Sequence, residues 1–195
     1  MAVSLRKGVA IENAFELALG FLETYGSDPA PATGPATFDE RDLRLANRQG
    51  ARISAAQIDA ILRRRRAIER ALRVIPPDAS LEGPMRDVPW QPFQQLFEAF
   101  AGIEGVGCSK MTKALHRKRP ALIPMLDSIV QEYLADDDLG PRAPFAERAL
   151  ALVRGYKRDV DRNRSTLRSV QRELARRDYD VSAVRLLDMM IVSTR

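Results

Sequence analysis

Apolar residues recur at three- and four-residue spacing along most of this chain, and proline or glycine breaks the pattern at intervals. Such spacing lines up one face of a helix and leaves little room for strands. Ile11, Phe15, Ala18, Leu22 and Tyr25 form the first stripe, which Gly26 is placed to stop. Residues 26–37 hold three prolines and two glycines and read as a loop. Thr37 and Glu40 have capping-box spacing and predict a helix opening near Phe38. Ser54 and Gln57 repeat that signal ahead of Ile58, Ile61, Leu62, Ile68 and Leu72, a long helix that Pro76 and Pro77 must end. Arg63 to Arg66 fall inside it. Successive residues go round a helix, so these four read as surface, with some stems over the core, and not as one patch.

The second half continues in the same way. Residues 76–89 read as a loop, and Pro92 suits the first turn of a helix that turns Phe93, Leu96, Phe97 and Phe100 inward. After a turn at 136–144, Pro144 opens another helix. Residues 157–177 read as a basic amphipathic helix burying Val160, Leu167, Val170 and Leu174. Ser182 is placed to cap a last helix carrying Leu186, Leu187, Met190 and Ile191. A short strand near Arg52 and Ile53 is possible. Neither a repeat nor an interdomain linker shows. With 45% hydrophobic residues the expectation is one all-α domain over 1–195.

Several function classes drop out. No apolar stretch approaches the roughly 20 residues of a membrane span. The basic start at Arg6 and Lys7 has no apolar run behind it, so no secretory leader is expected. Cys108 is the sole cysteine, which excludes an internal disulfide, and a cytoplasmic protein is expected. His116 is the sole histidine; neither a multi-histidine metal site nor CxxC ligation can form, and no metal or cofactor is expected. Eight residues of helix, about 12 Å, would separate Cys108 from His116, too far for a nucleophile and its base. His116 reads as a helix-end residue or a phosphate neighbour. No P-loop or GxGxxG occurs, and Asp136-Asp137-Asp138 lacks EF-hand spacing.

The net charge of +5 is unevenly spread. Lys110, Lys113, Arg117, Lys118 and Arg119 fall within ten residues that hold no acid, and nine basic residues face three acids between Arg154 and Arg177. Local density of this kind matters more for phosphate binding than the total.

The most informative stretch is QPFQQLFEAFAGIEGVGCSKMTKALH, residues 91–116. An amphipathic helix runs into Gly102 and Ile103, then Gly105-Val106-Gly107, then a second helix. Two glycines let a backbone turn tightly and approach a phosphate without a Cβ in the way. The second helix then presents unpaired amides at its N-terminus, where Cys108, Ser109 and Lys110 stand. Lys110 and Lys113 add charge on adjoining faces. Such a contact grips a backbone phosphate and does not read bases. The same tripeptide also serves as a plain corner between helices.

This stretch resembles the helix-hairpin-helix motif, and residues 91–128 resemble the corresponding region of helix-hairpin-helix DNA glycosylases. Arg119-Pro120, Leu122-Ile123-Pro124 and Asp127 look like the proline-containing link that leads to an aspartate in that superfamily. The resemblance implies a DNA-binding set of Gly105, Gly107, Cys108, Ser109, Lys110, Lys113, Arg117, Lys118 and Arg119. It also implies two candidate catalytic residues, Asp127 for cleavage of the glycosidic bond and Lys110 as a Schiff-base nucleophile. Asp127 followed by Ser-Ile-Val-Gln is equally a good helix N-cap, and Lys110 equally a phosphate contact. Over nearly the whole chain, GVGCSKMTKALHRKRPALIPMLDSIV and VSAVRLLDMMIV are similar to an uncharacterised bacterial family, a domain of unknown function. DNA binding without assured catalysis, base excision, and a protein-interaction module on the same fold all stay open.

Overall fold

The computed structural model describes residues 2–27 and 30–194. Among the described residues it holds ten α-helices and one small two-stranded sheet, so the chain is mostly helical as the periodicity predicts.

The sheet pairs β1 (Val3–Ser4) with β2 (Ala10–Ile11) antiparallel, Val3 opposite Ile11. Ile11 therefore belongs to a strand, and α1 (Ala14–Tyr25) takes only the later part of the first stripe. Ala14, Ala18 and Leu22 are buried, Tyr25 is exposed, and Gly26 at φ +75° stops the helix.

Helix α2 (Glu40–Arg48) begins two residues later than Thr37 and Glu40 suggested. Asp39 and Asp42 form its capping box, with Arg41 N donating to Asp39 Oδ1 at 2.8 Å and Asp39 N to Asp42 Oδ2 at 3.0 Å. Thr37 Oγ1 turns back to Gly34 O instead, at 3.1 Å. No strand forms at Arg52–Ile53. The Asn47 side chain pairs with both Ile53 N (2.7 Å) and Ile53 O (2.8 Å), doing locally what a neighbouring strand would do.

The predicted long helix is two helices. α3 (Ala55–Arg63) opens with the Ser54–Gln57 capping box, and α4 (Arg65–Val74) follows a break at Arg64 (φ −93°, ψ 3°). The break lets α4 bury Ile68, Ala71 and Leu72 while packing on α5 (Trp90–Glu98). Arg63 to Arg66 are all exposed, as expected of surface.

After α6 (Cys108–His116) and α7 (Ser128–Tyr133), the predicted 157–177 helix is also divided. α8 (Phe145–Arg162) and α9 (Arg164–Ala175) meet at Asn163. That residue's amide is occupied elsewhere: Ser4 N donates to its Oδ1 (2.7 Å), and its Nδ2 donates to Ser4 O (2.9 Å). Val160, Leu167, Val170 and Leu174 do point inward. Helix α10 (Ala183–Val192) is capped by Ser182 Oγ, which accepts from Arg185 N at 3.1 Å.

Buried side chains from Val3 to Ile191 form one hydrophobic cluster. Helix α10 packs against α1, α7, α8 and α9, and α5 is held between α4 and α8. Phe38, Phe93, Phe97 and Phe100 are fully buried around α5 and the turn that follows it. Each contributes about 1.5–3 kcal/mol by burial. The Phe38 and Phe100 rings meet edge to face at 6.2 Å. Helix α2 supports α6. The turn between α5 and α6 is thus presented by two braced helices.

Arg6 closes the other end of the molecule. Its Nε lies 2.6 Å from Asp159 Oδ2, and its Nη2 lies 2.6 Å from Asp137 Oδ2 and 3.1 Å from Gly155 O. A Cβ at position 155 would run into Asp137, so glycine is the residue that fits between them.

Candidate nucleic-acid interface

The turn after α5 is built by hydrogen bonds to its own backbone, Ile103 N to Phe100 O (3.4 Å) and Val106 N to Ile103 O (3.1 Å). Ile103 and Val106 are buried and anchor it. The glycines differ in what they do. Gly102 (φ +72°) and Gly105 (φ +69°) adopt left-handed conformations that side chains disfavour. Gly107 is extended (φ −91°) and needs no such freedom, yet nothing lies within 4 Å of where its Cβ would be. It is the N-cap of α6 and has no side chain with which to cap. The first-turn amides of α6 therefore have no side-chain cap, and the space beside Gly107 is open.

Gln57 ties this turn to α3. Its Oε1 accepts from Ser54 N (3.1 Å) and from Lys110 Nζ (2.7 Å), and its Nε2 donates to Glu104 O (3.4 Å). A Cβ on Gly105 would collide with that amide. Ser109, Lys110 and Lys113 are half-buried, with Lys110 held by Gln57. Cys108 is buried, which pushes its thiol pKa up and turns it to the core.

The basic run after α6 does not share this surface. Arg117, Lys118 and Arg119 are 7%, 3% and 1% exposed, too buried to meet a polyanion from solvent. Lys118 Nζ pairs with Asp42 Oδ1 (2.7 Å) and bonds to Thr33 O (3.2 Å) and Thr33 Oγ1, locking the 33–34 loop to α2. Arg119 is a helix C-cap. Its Nη2 donates to Leu72 O and Ile75 O, both at 2.6 Å, and its Nη1 to Pro35 O at 2.8 Å. Burial pulls the pKa of both groups down, Asp42 opposing it for Lys118. Arg117 lines a cleft of about 450 Å³ with Glu82, Pro120, Gln171, Ser182 and Arg185.

The link after Pro120 doubles back along α6, and Leu126 N donates to Thr112 Oγ1 at 3.0 Å. Asp127 is thereby returned to the side of α6, at the N-cap of α7. Its Oδ1 accepts from Ile129 N (3.1 Å) and Val130 N (3.0 Å). Cap geometry at Asp127 is thus present.

His116 does end a helix, but it is fully buried, with Nδ1 2.6 Å from Ile123 O, so that nitrogen carries the proton. The apolar pattern of the last helix hid a buried carboxylate nearby. Asp188 Oδ1 lies 2.9 Å from the Tyr156 hydroxyl, and its Oδ2 accepts from Met125 N at 3.5 Å. Burial raises its pKa to about 6 against the opposing charges of His116 and Arg185, and raises that of Tyr156 well above the ordinary tyrosine value. Among the described residues no His, Cys, Asp and Glu group could hold a metal ion, and no helix is long and apolar enough to cross a membrane.

The sequence profile of the family of unknown function DUF6308 matches residues 20–194, nearly the whole chain. The chain belongs to DUF6308. No curated protein and no solved structure matches it. The DUF6308 match spans the α5–α6 turn, the buried Arg117–Arg119 run and Asp127 together.

Proposed function

We propose that this DUF6308 chain binds duplex DNA, gripping a backbone phosphate at the α5–α6 turn as a helix-hairpin-helix element does. The observation that carries this is the uncapped first turn of α6 behind Gly107, with open space in front of it. Uncapped backbone amides at a helix start can donate to a phosphate oxygen. Gly105 supplies the left-handed turn, and Lys110 and Lys113 supply charge at the rim. The phosphate-gripping set is then Gly105, Gly107, Ser109, Lys110 and Lys113. Cys108 contributes its main chain alone, and Arg117, Lys118 and Arg119 brace the elements behind.

The test is a salt titration of duplex binding. Each phosphate neutralised contributes about −0.9 to the log–log slope. Lys110→Glu with Lys113→Glu should flatten the slope and weaken binding on all sequences alike. A folded wild-type protein that shows no affinity for DNA at low salt overturns the reading and favours an interaction module for a protein partner.

Base excision is the second reading. Its support is the returning link that brings Asp127 back to α6, together with the lysine at position 110. Incubating a panel of damaged duplexes with the protein, and scoring free base and strand nicks, tests it directly.

A further inference from the structure

Positive charge is also concentrated outside the residues of the glycine turn itself. Residues 39–73 contain ten arginines and five acidic residues, a net charge of +5 that equals that of the whole chain. The remainder sums to zero, although residues 154–177 within it carry +6, much of it in ion pairs to Asp137, Asp159, Asp161 and Glu173. Within this segment Arg41 pairs with Asp39 (2.9 Å), Arg44 with Glu40 (2.5 Å), and Arg65 and Arg73 with Glu69 (2.8 and 3.9 Å). Asp42 is buried under Lys118. Arg48, Arg52, Arg63, Arg64, Arg66 and Arg70 are left, all exposed and without an ion pair among the described residues, against exposed Asp59 alone.

Their placement follows from the fold. Gln57, in the first turn of α3, touches both Glu104 O and Lys110 Nζ, so α3 starts at the glycine turn. Arg48 ends α2 and lines a shallow cleft with Ala55, Ile58 and Asp59 of α3, and Arg52 sits in the link ahead of α3. Ile53 is pinned by Asn47, and Arg52 stands beside it in a left-handed conformation (φ +53°) with its side chain in solvent. Arg64 comes seven residues after Gln57. Seven residues are close to two turns, which returns to the same side of the helix about 10 Å along it. Arg63 to Arg66 also crowd like charges at the start of α4, whose first turn holds no acid. A helix N-terminus disfavours cations, so this array raises the local positive potential that an incoming anion would relieve.

We propose that the arginine face of α2–α4 is a second phosphodiester-binding surface, continuous with the glycine turn. It receives a further stretch of the DNA backbone beyond the phosphate held by α6. This rests on the DNA reading above. The contact is electrostatic and blind to sequence.

The experiment compares salt slopes for the full chain on a duplex of about two helical turns, some 20 base pairs. One variant carries Arg48→Gln, Arg52→Gln, Arg63→Gln and Arg64→Gln; a second carries Lys110→Gln and Lys113→Gln; a third has the four arginines replaced by lysine. All four arginines are exposed, and circular dichroism checks each fold. The expected result is a slope shallower by about 2 or more in the glutamine arginine variant, retained when the four are lysine. An arginine variant with the wild-type slope, beside a lysine-pair variant that loses slope, overturns this second surface and leaves the glycine turn standing. Loss in the arginine variant alone supports the surface and removes the role given to α6. Absence of wild-type binding overturns both.

Discussion

Arg119 Nη2 lies 2.6 Å from the carbonyl oxygen of Ile75, so a guanidinium one helix away closes the end of α4. The same group reaches Leu72 O, Pro35 O and Lys118 O, and among the described residues its burial is compensated by carbonyl dipoles. Replacing Arg119 with methionine strands these carbonyls in the core. A loss of about 3 kcal/mol or more in denaturant unfolding is expected. Lysine keeps the charge but not the fork, and should recover only part of it. An Arg119→Met protein of wild-type stability would show that the cap is dispensable.

The two glycines flanking Val106 should respond differently. Gly105→Ala places a Cβ in a left-handed residue and against Gln57, costing on the order of 1–2 kcal/mol of stability. Gly107→Val places its Cβ in open space on an extended backbone, should cost about 1 kcal/mol as a poorer N-cap, and should weaken DNA binding by more than that. Normal binding by Gly107→Val would reduce the turn to a corner between helices.

Asp127 separates into cap and catalyst by a substitution series. Asparagine caps about as well as aspartate, while alanine costs ~1 kcal/mol. As a cap alone, Asp127→Asn should match wild type in melting temperature and DNA binding, with no base released by either. Base release by wild type that disappears in a folded Asp127→Asn protein would make this chain an enzyme, because the amide lacks the charge that steadies an oxocarbenium-like sugar.

Asp188 gives a pH dependence of defined sign. Its carboxyl is held at about 6 when folded, above the ordinary value near 4, so the folded state binds the extra proton. That contribution to stability is fully present below pH ~4 and is lost as pH rises through 6, about 3 kcal/mol in all. Carboxylates such as Asp39, Glu69 and Asp138 are shifted down by arginine partners and act in the opposite sense at low pH. The readout is therefore a difference: relative to Asp188→Asn, wild type should lose stability from pH 4 to 7. A flat difference curve would remove Asp188 as its source.

The helical class, the Ser54–Gln57 box, the Ser182 cap and the inward faces of α5, α9 and α10 were legible because each is a local pattern of side chains. Breaks at Arg64 and Asn163 were not, since the cause lies at a distance: Asn163 is claimed by Ser4, and α4 follows α5. Lys118 and Arg119 read as DNA phosphate contacts because composition does not say that Asp42 and the end of α4 fold onto them. Arg63 to Arg66 read as plain surface because a single helix pattern does not show which arginines have acidic partners. Their excess shows once the acids around them are paired off in space.

The asparagine that divides α8 from α9 also sets an order on assembly. Ser4 and Arg6 find their partners at Gly155, Asp159 and Asn163, about 150 residues further along the chain. During synthesis at about 5–20 residues per second, the β1–β2 segment leaves the ribosome several seconds before Gly155, Asp159 and Asn163 are made. Its strands are two residues each, too short to hold as an isolated hairpin. The helices around α5 can collapse in the meantime, and residues 3–11 must then close over a body that is already packed.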